Sequence, residues 1–122
     1  MILADTSVWI EFFRKSNASI SERMAELLKL NQVCAVSPVF GELLQGVRDD
    51  REEKIILEFW KNLPHVDENN IFIEAGRISY QHKFFSKGVG LIDCYILAMA
   101  QHHHLEIWSL DKKLLQGLKL LQ

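Results

Sequence analysis

The sequence predicts an α/β fold, a three-layer α/β/α sandwich with a small, mostly parallel central sheet. Three observations lead to it. The chain opens on a short apolar run, Met1 to Ala4, that stops at a carboxylate, Asp5. Apolar, partly β-branched runs of strand length alternate with segments of helical period, the order that gives a parallel sheet covered on both faces. Leu91 to Met99 is apolar almost all round except for Asp93, which marks a buried central helix. The 122 residues read as a single domain, residues 1–122, without repeat, low-complexity stretch or linker.

Taken in order, Met1–Ala4 is expected to be a buried strand that delivers Asp5 to its carboxyl end. A short helix follows over residues 8–14. Ser19 to Glu22 has the spacing of a capping box, and Ile20, Met24, Leu27 and Leu28 behind it fall on one helical stripe. Val33–Val36 reads as a second buried strand. Ser37–Pro38 then places a capping hydroxyl before a proline at the first helical position, and the helix carries Glu42 at the edge of its apolar face. Asp50 to Glu53 again resembles a capping box, and Ile55, Ile56, Phe59, Trp60 and Leu63 form a stripe that Pro64 ends. Asn69–Asn70 can cap a helix reaching Phe85, and Gly88-Val-Gly90 breaks it. The helical stretch from about residue 50 to 104 is expected to form an arm on the sandwich. Leu105–Leu110 reads as a third strand delivering Asp111 to its end, and Leu118–Leu121 as a short edge strand.

The composition is that of an ordinary globular chain. No apolar run approaches the roughly 20 residues of a membrane span, and nothing at the start has the pattern of an export signal. The 2 cysteines, Cys34 and Cys94, lie in apolar segments, so buried thiols in a reducing cytoplasm are expected rather than a disulfide. The net charge of −2 does not advertise nucleic-acid binding. A cluster of acids would depress that sum, however, and local charge matters more.

Four acids form such a candidate cluster. Asp5 and Asp111 end two strands on what should be one edge of the sheet. Glu42 lies about one and a half turns into the helix that leaves a third strand. Asp93 sits in the first turn of a nearly all-apolar helix, where an unpartnered carboxylate is costly. Each has a structural explanation alone: a cap for Asp5, the helix dipole for Asp93, a turn for Asp111, a solvated face for Glu42. Pooled, they repel one another, and a hard divalent cation such as Mg²⁺ or Mn²⁺ resolves the repulsion. In open α/β sheets that edge is where ligands bind.

The stretches Asp5-Thr-Ser-Val-Trp-Ile10, Gly41-Glu-Leu-Leu-Gln-Gly46, Asp93 with Ile96, Ala98 and Ala100, and Ser109-Leu-Asp111 occur in one order across the chain. In this the chain resembles PIN domains, and within them the VapC-type toxins of VapBC toxin–antitoxin pairs. The resemblance implies a metal-dependent endoribonuclease that hydrolyses RNA with a metal-activated water. It implies that Asp5, Glu42, Asp93 and Asp111 are the catalytic and metal-binding quartet, with Ser7 and Ser109 orienting it. It also implies a VapB-type antitoxin partner and a homodimer. One departure stands out: where the family often has a further acid and an aromatic after the last aspartate, this chain has Lys113 and Leu114.

Arg14, Lys15, Arg48, Arg51, Lys54, Lys83 and Lys87 are candidate phosphate contacts, with a solvated helix face as the plainer explanation of each. Trp9, Trp60 and Tyr95 can stack on bases but at helical spacing are more often core. His102 to His104 point in different directions on a helix and cannot share one ion, while His65 and His82 are expected to pack or face solvent. An alternative function is a non-catalytic RNA- or protein-binding module on the same scaffold. A phosphatase with Asp5 as nucleophile is weaker, because a second aspartate is wanted two residues on and Ser7 stands there.

Overall fold

The computed structural model describes all residues from Met1 to Gln122. Strand β1 (Ile2–Ala4) runs parallel to β2 (Glu106–Trp108), with Ile2 opposite Glu106 and Ala4 opposite Trp108. Leu3 and Ala4 point to opposite faces of β1 and both are fully buried, so the sheet is covered on each side. One group of helices comprises α1 (Thr6–Arg14), α2 (Ala18–Lys29), α3 (Ser37–Gln45) and α4 (Asp50–Asn62). The other comprises α5 (Ile71–His82), α6 (Leu91–His103) and α7 (Lys112–Leu121), with a 3₁₀ turn at Phe85–Lys87. One hydrophobic core joins the two groups.

The expected α/β architecture holds, but several elements differ from the sequence reading. Val33–Val36 is no strand. It makes one parallel bridge to β1, Ile2 to Val33, and one on its other side, Ala35 to His65. Pro64 accepts a bond from the Ala35 amide at 2.8 Å but has no N–H to return one, and a helix begins at Ser37, so no ladder can grow. Residues 50–104 form no arm either: α4 packs on α3, while α5 and α6 pack together in the second helical group.

The helix caps lie beside the residues that their spacing indicated. Asn17 rather than Ser19 caps α2, and Asp49 rather than Asp50 caps α4. Asn70 precedes α5 in a left-handed conformation, φ 63°, but its side chain makes no capping bond. That helix stops at His82, and Phe84 turns into the core.

Leu118–Leu121 is the last turn of α7, not an edge strand. Leu114, Leu118 and Leu121 share a stripe at i, i+4 and i+7, which outweighs the strand-like run of leucines. Gly117 lets this helix sit close to α6, since a Cβ there would stand 3.0 Å from Leu97 Cδ1 and 3.3 Å from Val89 Cγ1. Gly117→Ala is therefore expected to destabilise despite its better helix propensity. Overpacking of ~1–3 kcal/mol exceeds the propensity gain of ~1 kcal/mol. Urea unfolding should show a lower midpoint at unchanged slope; a higher midpoint would mean that the helices yield freely.

Candidate active site

Because β1 and β2 are parallel, the residues that leave them emerge on the same edge of the sheet, and hydrogen bonds tie those residues together. Asp5 caps α1, its Oδ1 accepting from the Ser7 amide at 3.0 Å and the Val8 amide at 3.4 Å. The Ser7 hydroxyl donates to the same oxygen at 2.5 Å and accepts from the Leu110 amide at 3.0 Å. The Ser109 hydroxyl donates to Asp5 Oδ2 at 2.5 Å and accepts from the Asp111 amide at 2.9 Å. Two serines thus bind the turn after β1 to the turn after β2. Asp5 and Ser109 are the chain's buried polar residues, and each has its partners, as buried polar groups must.

Asp111 caps α7, with Oδ1 accepting from the Lys113 amide at 2.8 Å and the Leu114 amide at 3.4 Å. Glu42, in the second turn of α3, accepts from Thr6 Oγ1 at 2.6 Å. Asp93 lies in the first turn of α6, where its half-buried carboxyl is pushed up to about 6. Burial is the larger cause, followed by the charge of Asp111 and then of Asp5 and Glu42. The charges of the other three acids are thus felt at Asp93. The chain's two ion pairs, Arg48–Glu52 and Arg77–Glu74, involve none of them.

The donor set has the chemistry of a hard-ion site but not a closed cage. No three acidic, histidine or cysteine side chains close on one point as a cage. Mg²⁺, however, keeps several waters and needs only one or two direct carboxylates. The four acids and the hydroxyls of Thr6, Ser7 and Ser109 bonded to Glu42 and Asp5 offer oxygen, the donor that hard cations prefer.

The family model for the PIN domain matches residues 2–117. The chain belongs to the PIN domain family. Ribonuclease VapC32 of Mycobacterium tuberculosis (strain H37Rv) is 31% identical over 118 residues, covering 93% of this chain and 87% of that protein. Ribonuclease VapC11 of the same strain is 30% identical over 116 residues, covering 91% and 87%. VapC ribonuclease Mb1587 of Mycobacterium bovis is similar to the same extent, 30% over 116 residues. The resemblance read from four short stretches thus extends over nearly the whole chain.

Two residues that bond across to α3 had not been singled out. Thr6 holds Glu42, and its signal was visible, a second hydroxyl between Asp5 and Ser7. Glu68 had none, because it lies in irregular chain 31 residues from its partner. It accepts from the Ser37 amide at 3.2 and 3.1 Å, from the Ser37 hydroxyl at 2.8 Å, and from the Tyr95 hydroxyl. The cap that Ser37 was expected to supply for α3 is thus replaced by a distant carboxylate. Burial, then the bond to Glu68, pushes the Tyr95 phenol up to about 12.

The remaining candidates of this PIN domain divide cleanly. Trp9 is core, ringed by Phe12, Phe13, Phe40 and Phe59. Trp60 packs on Phe40 and on His65, whose Nε2 bonds the Trp60 carbonyl at 2.6 Å. His82 stacks on Phe84. The His102 and His103 rings meet edge-on, 4.7 Å between centroids, but His103 bonds the Asp67 carbonyl at 2.6 Å and the three histidines form no common site. Among the basic residues Arg48 is held by Glu52, while Arg14, Lys15, Arg51, Lys54, Lys83 and Lys87 form no ion pair. Cys34 and Cys94 are buried free thiols, and no helix is long and apolar enough to cross a membrane.

Proposed function

We propose that this PIN domain is a metal-dependent endoribonuclease, the toxin of a type II toxin–antitoxin pair acting in the cytoplasm. The observation that carries the reading is the Asp93 carboxyl, raised to about 6 among Asp5, Glu42 and Asp111 with no cationic side chain paired to any of them. Such a pocket suits a divalent cation and, through it, a phosphodiester. The names of the three relatives point the same way.

Asp5 and Asp93 would hold Mg²⁺ or Mn²⁺, with Glu42 and Asp111 close by or acting through its waters. The bound ion supplies charge neutralisation at the phosphate and a more acidic water. The chain's own residues do the rest. Ser7 and Ser109 fix the Asp5 carboxylate by their hydroxyl bonds, and Thr6 fixes Glu42. Glu42 or Asp111 accepts the proton of the attacking water. Water adds to phosphorus, the P–O bond to the leaving ribose oxygen breaks, and that oxygen takes a proton.

The antitoxin has a candidate seat. A groove of ≈590 Å³ between α1, α3 and α4 is lined by Ile10, Phe13, Val47 and Ile55 and reaches Glu42. A partner laid there can extend toward the acids. Of the stripe Ile55/Phe59/Trp60, only Ile55 belongs to the groove, since Phe59 and Trp60 pack inward. A homodimer accords with the family expectation.

The direct test is calorimetric titration of Mn²⁺ into the wild type and Asp5→Asn, with cleavage of a structured RNA followed with and without EDTA. Asparagine caps a helix about as well as aspartate, so the substitution removes charge and spares α1. The wild type should bind and cut, and Asp5→Asn should bind at least about tenfold more weakly. No heat and no cleavage from the wild type would leave a non-catalytic binding module.

A further inference from the structure

We propose that the cavity beside the start of α6 is a base-binding subsite that takes one RNA nucleobase carrying an exocyclic amine, next to the phosphate held at the acids. This deepens the nuclease reading and rests on it. The cavity measures ≈500 Å³, within the range of small-ligand sites. Its lining includes Ser37, Glu68, Asn70, Phe72, Ile92 and Tyr95.

The cavity is bound to the acidic pocket through two shared helices. Ser37 and Glu42 lie on α3, five residues or ~7.5 Å of helix rise apart. Ile92 and Tyr95 flank Asp93 within one turn of α6. An RNA strand with a phosphate at Asp93 therefore has a base within reach of this cavity.

The cavity's chemistry suits a base rather than a phosphate or an acidic peptide, which Glu68 repels. Phe72 is 53% exposed at its mouth and meets the Tyr95 ring edge-on, 5.8 Å between centroids, leaving a platform for stacking. Glu68 Oε1 accepts from both the Ser37 and Tyr95 hydroxyls, whereas Oε2 takes only the Ser37 N–H, shared between the two oxygens. An ionised carboxylate has about four acceptor positions, so Oε2 keeps room for an N–H donor. The Asn70 amide also lines the cavity and caps nothing. Aromatic face, spare acceptor and free amide together read the edge of an unpaired base. Cytosine, adenine and guanine offer an exocyclic amine and uracil does not.

Two measurements test this. The wild type, Phe72→Ala and Glu68→Gln are set on a random-sequence RNA in Mg²⁺, and bases around the cuts are counted. Uracil should be depleted at one fixed position beside the wild-type cut. Phe72→Ala should raise KM about tenfold with kcat within about twofold, and Glu68→Gln should abolish the discrimination against uracil. Separately, labelled tetranucleotides of C, A, G or U are titrated into the metal-free Asp93→Asn chain, where binding is read without cutting. The U tetramer should bind weakest, and adding Phe72→Ala should weaken the other three about tenfold. Should Glu68→Gln melt early because it also caps α3, Asn70→Gly serves instead, since φ 63° suits glycine.

Cleavage with base frequencies and affinities unchanged by all three substitutions would overturn the subsite and leave the nuclease standing. No cleavage by the wild type would overturn the nuclease, while the tetranucleotide affinities would still decide the cavity. RNA affinity unchanged but antitoxin binding lost in Phe72→Ala would assign the cavity to a protein partner and overturn the proposal.

Discussion

Asp93→Asn is expected to lose RNA cleavage by at least about 100-fold and, with metal removed, to be more stable than the wild type at pH 7. The two effects have one cause. Folding lifts this carboxyl from 3.8 to about 6 by burial and by the neighbouring charges, so the folded chain holds the proton more tightly than the unfolded chain. The stabilisation that the proton brings is complete below pH ~4 and is gone once the pH passes ~6. At pH 7 the ionised side chain therefore opposes folding. The whole shift corresponds to ~3 kcal/mol, and solvent screening at a half-buried group reduces it to about 1 kcal/mol. Asparagine has no charge to desolvate.

Thermal melting in EDTA from pH 7 to pH 4 checks this. The variant should melt higher at pH 7, and the gap should close as the wild type takes up its proton. Added Mg²⁺ should reverse the order, because an ion that binds only the folded wild type stabilises it. The proton also competes with the ion, so wild-type cleavage at low Mg²⁺ should fall as the pH drops below ~6. A variant that cuts at the wild-type rate, or melts lower throughout, would contradict the account.

Trp9→Ala should carry the largest cost to stability, ~3–5 kcal/mol, out of the ~5–15 kcal/mol of a typical domain. The ring is fully buried and four aromatic rings pack against it, with centroids 5.4 to 6.0 Å away. Trp9→Phe should cost far less. It keeps a ring in the cluster and removes Nε1, a buried donor without a partner, whose desolvation costs ~1–3 kcal/mol. Urea unfolding of both variants gives the comparison. Equal loss in the two would show that the core requires the full indole volume rather than any ring in the cluster.

Much of this could be read from the residues. The run ending at Asp5, the stripe before Pro64 and the near-continuous apolarity of 91–99 each reflect a local rule, burial matched to a period, and each gave its element. Asp5, Asp93 and Asp111 could be singled out as candidates because a carboxylate at a strand end or in an apolar helix conflicts with its surroundings, and Glu42 because its helix leaves toward the same edge. Elements that depend on distant partners were not legible. Val33–Val36 has strand chemistry, yet whether it forms a ladder depends on Pro64 having no N–H. Glu68 reaches Ser37 and Tyr95 from a stretch without periodicity. Leu118–Leu121 taken alone looks like a strand, and its helical stripe shows only when Leu114 is counted with it.

Asp5 and Asp111 each hold the first turn of a helix, whereas Glu42, in the second turn of α3, holds no helix start. The four acids would therefore not decay together if selection for cutting were relaxed. A descendant that had stopped cleaving RNA would shed the acid at 42 before those at 5 and 111, because losing either of that pair unravels a helix start. Among such descendants, an intact pair at 5 and 111 would attest only to a sound scaffold, and under the function proposed above the residue at 42 would tell whether cutting persists.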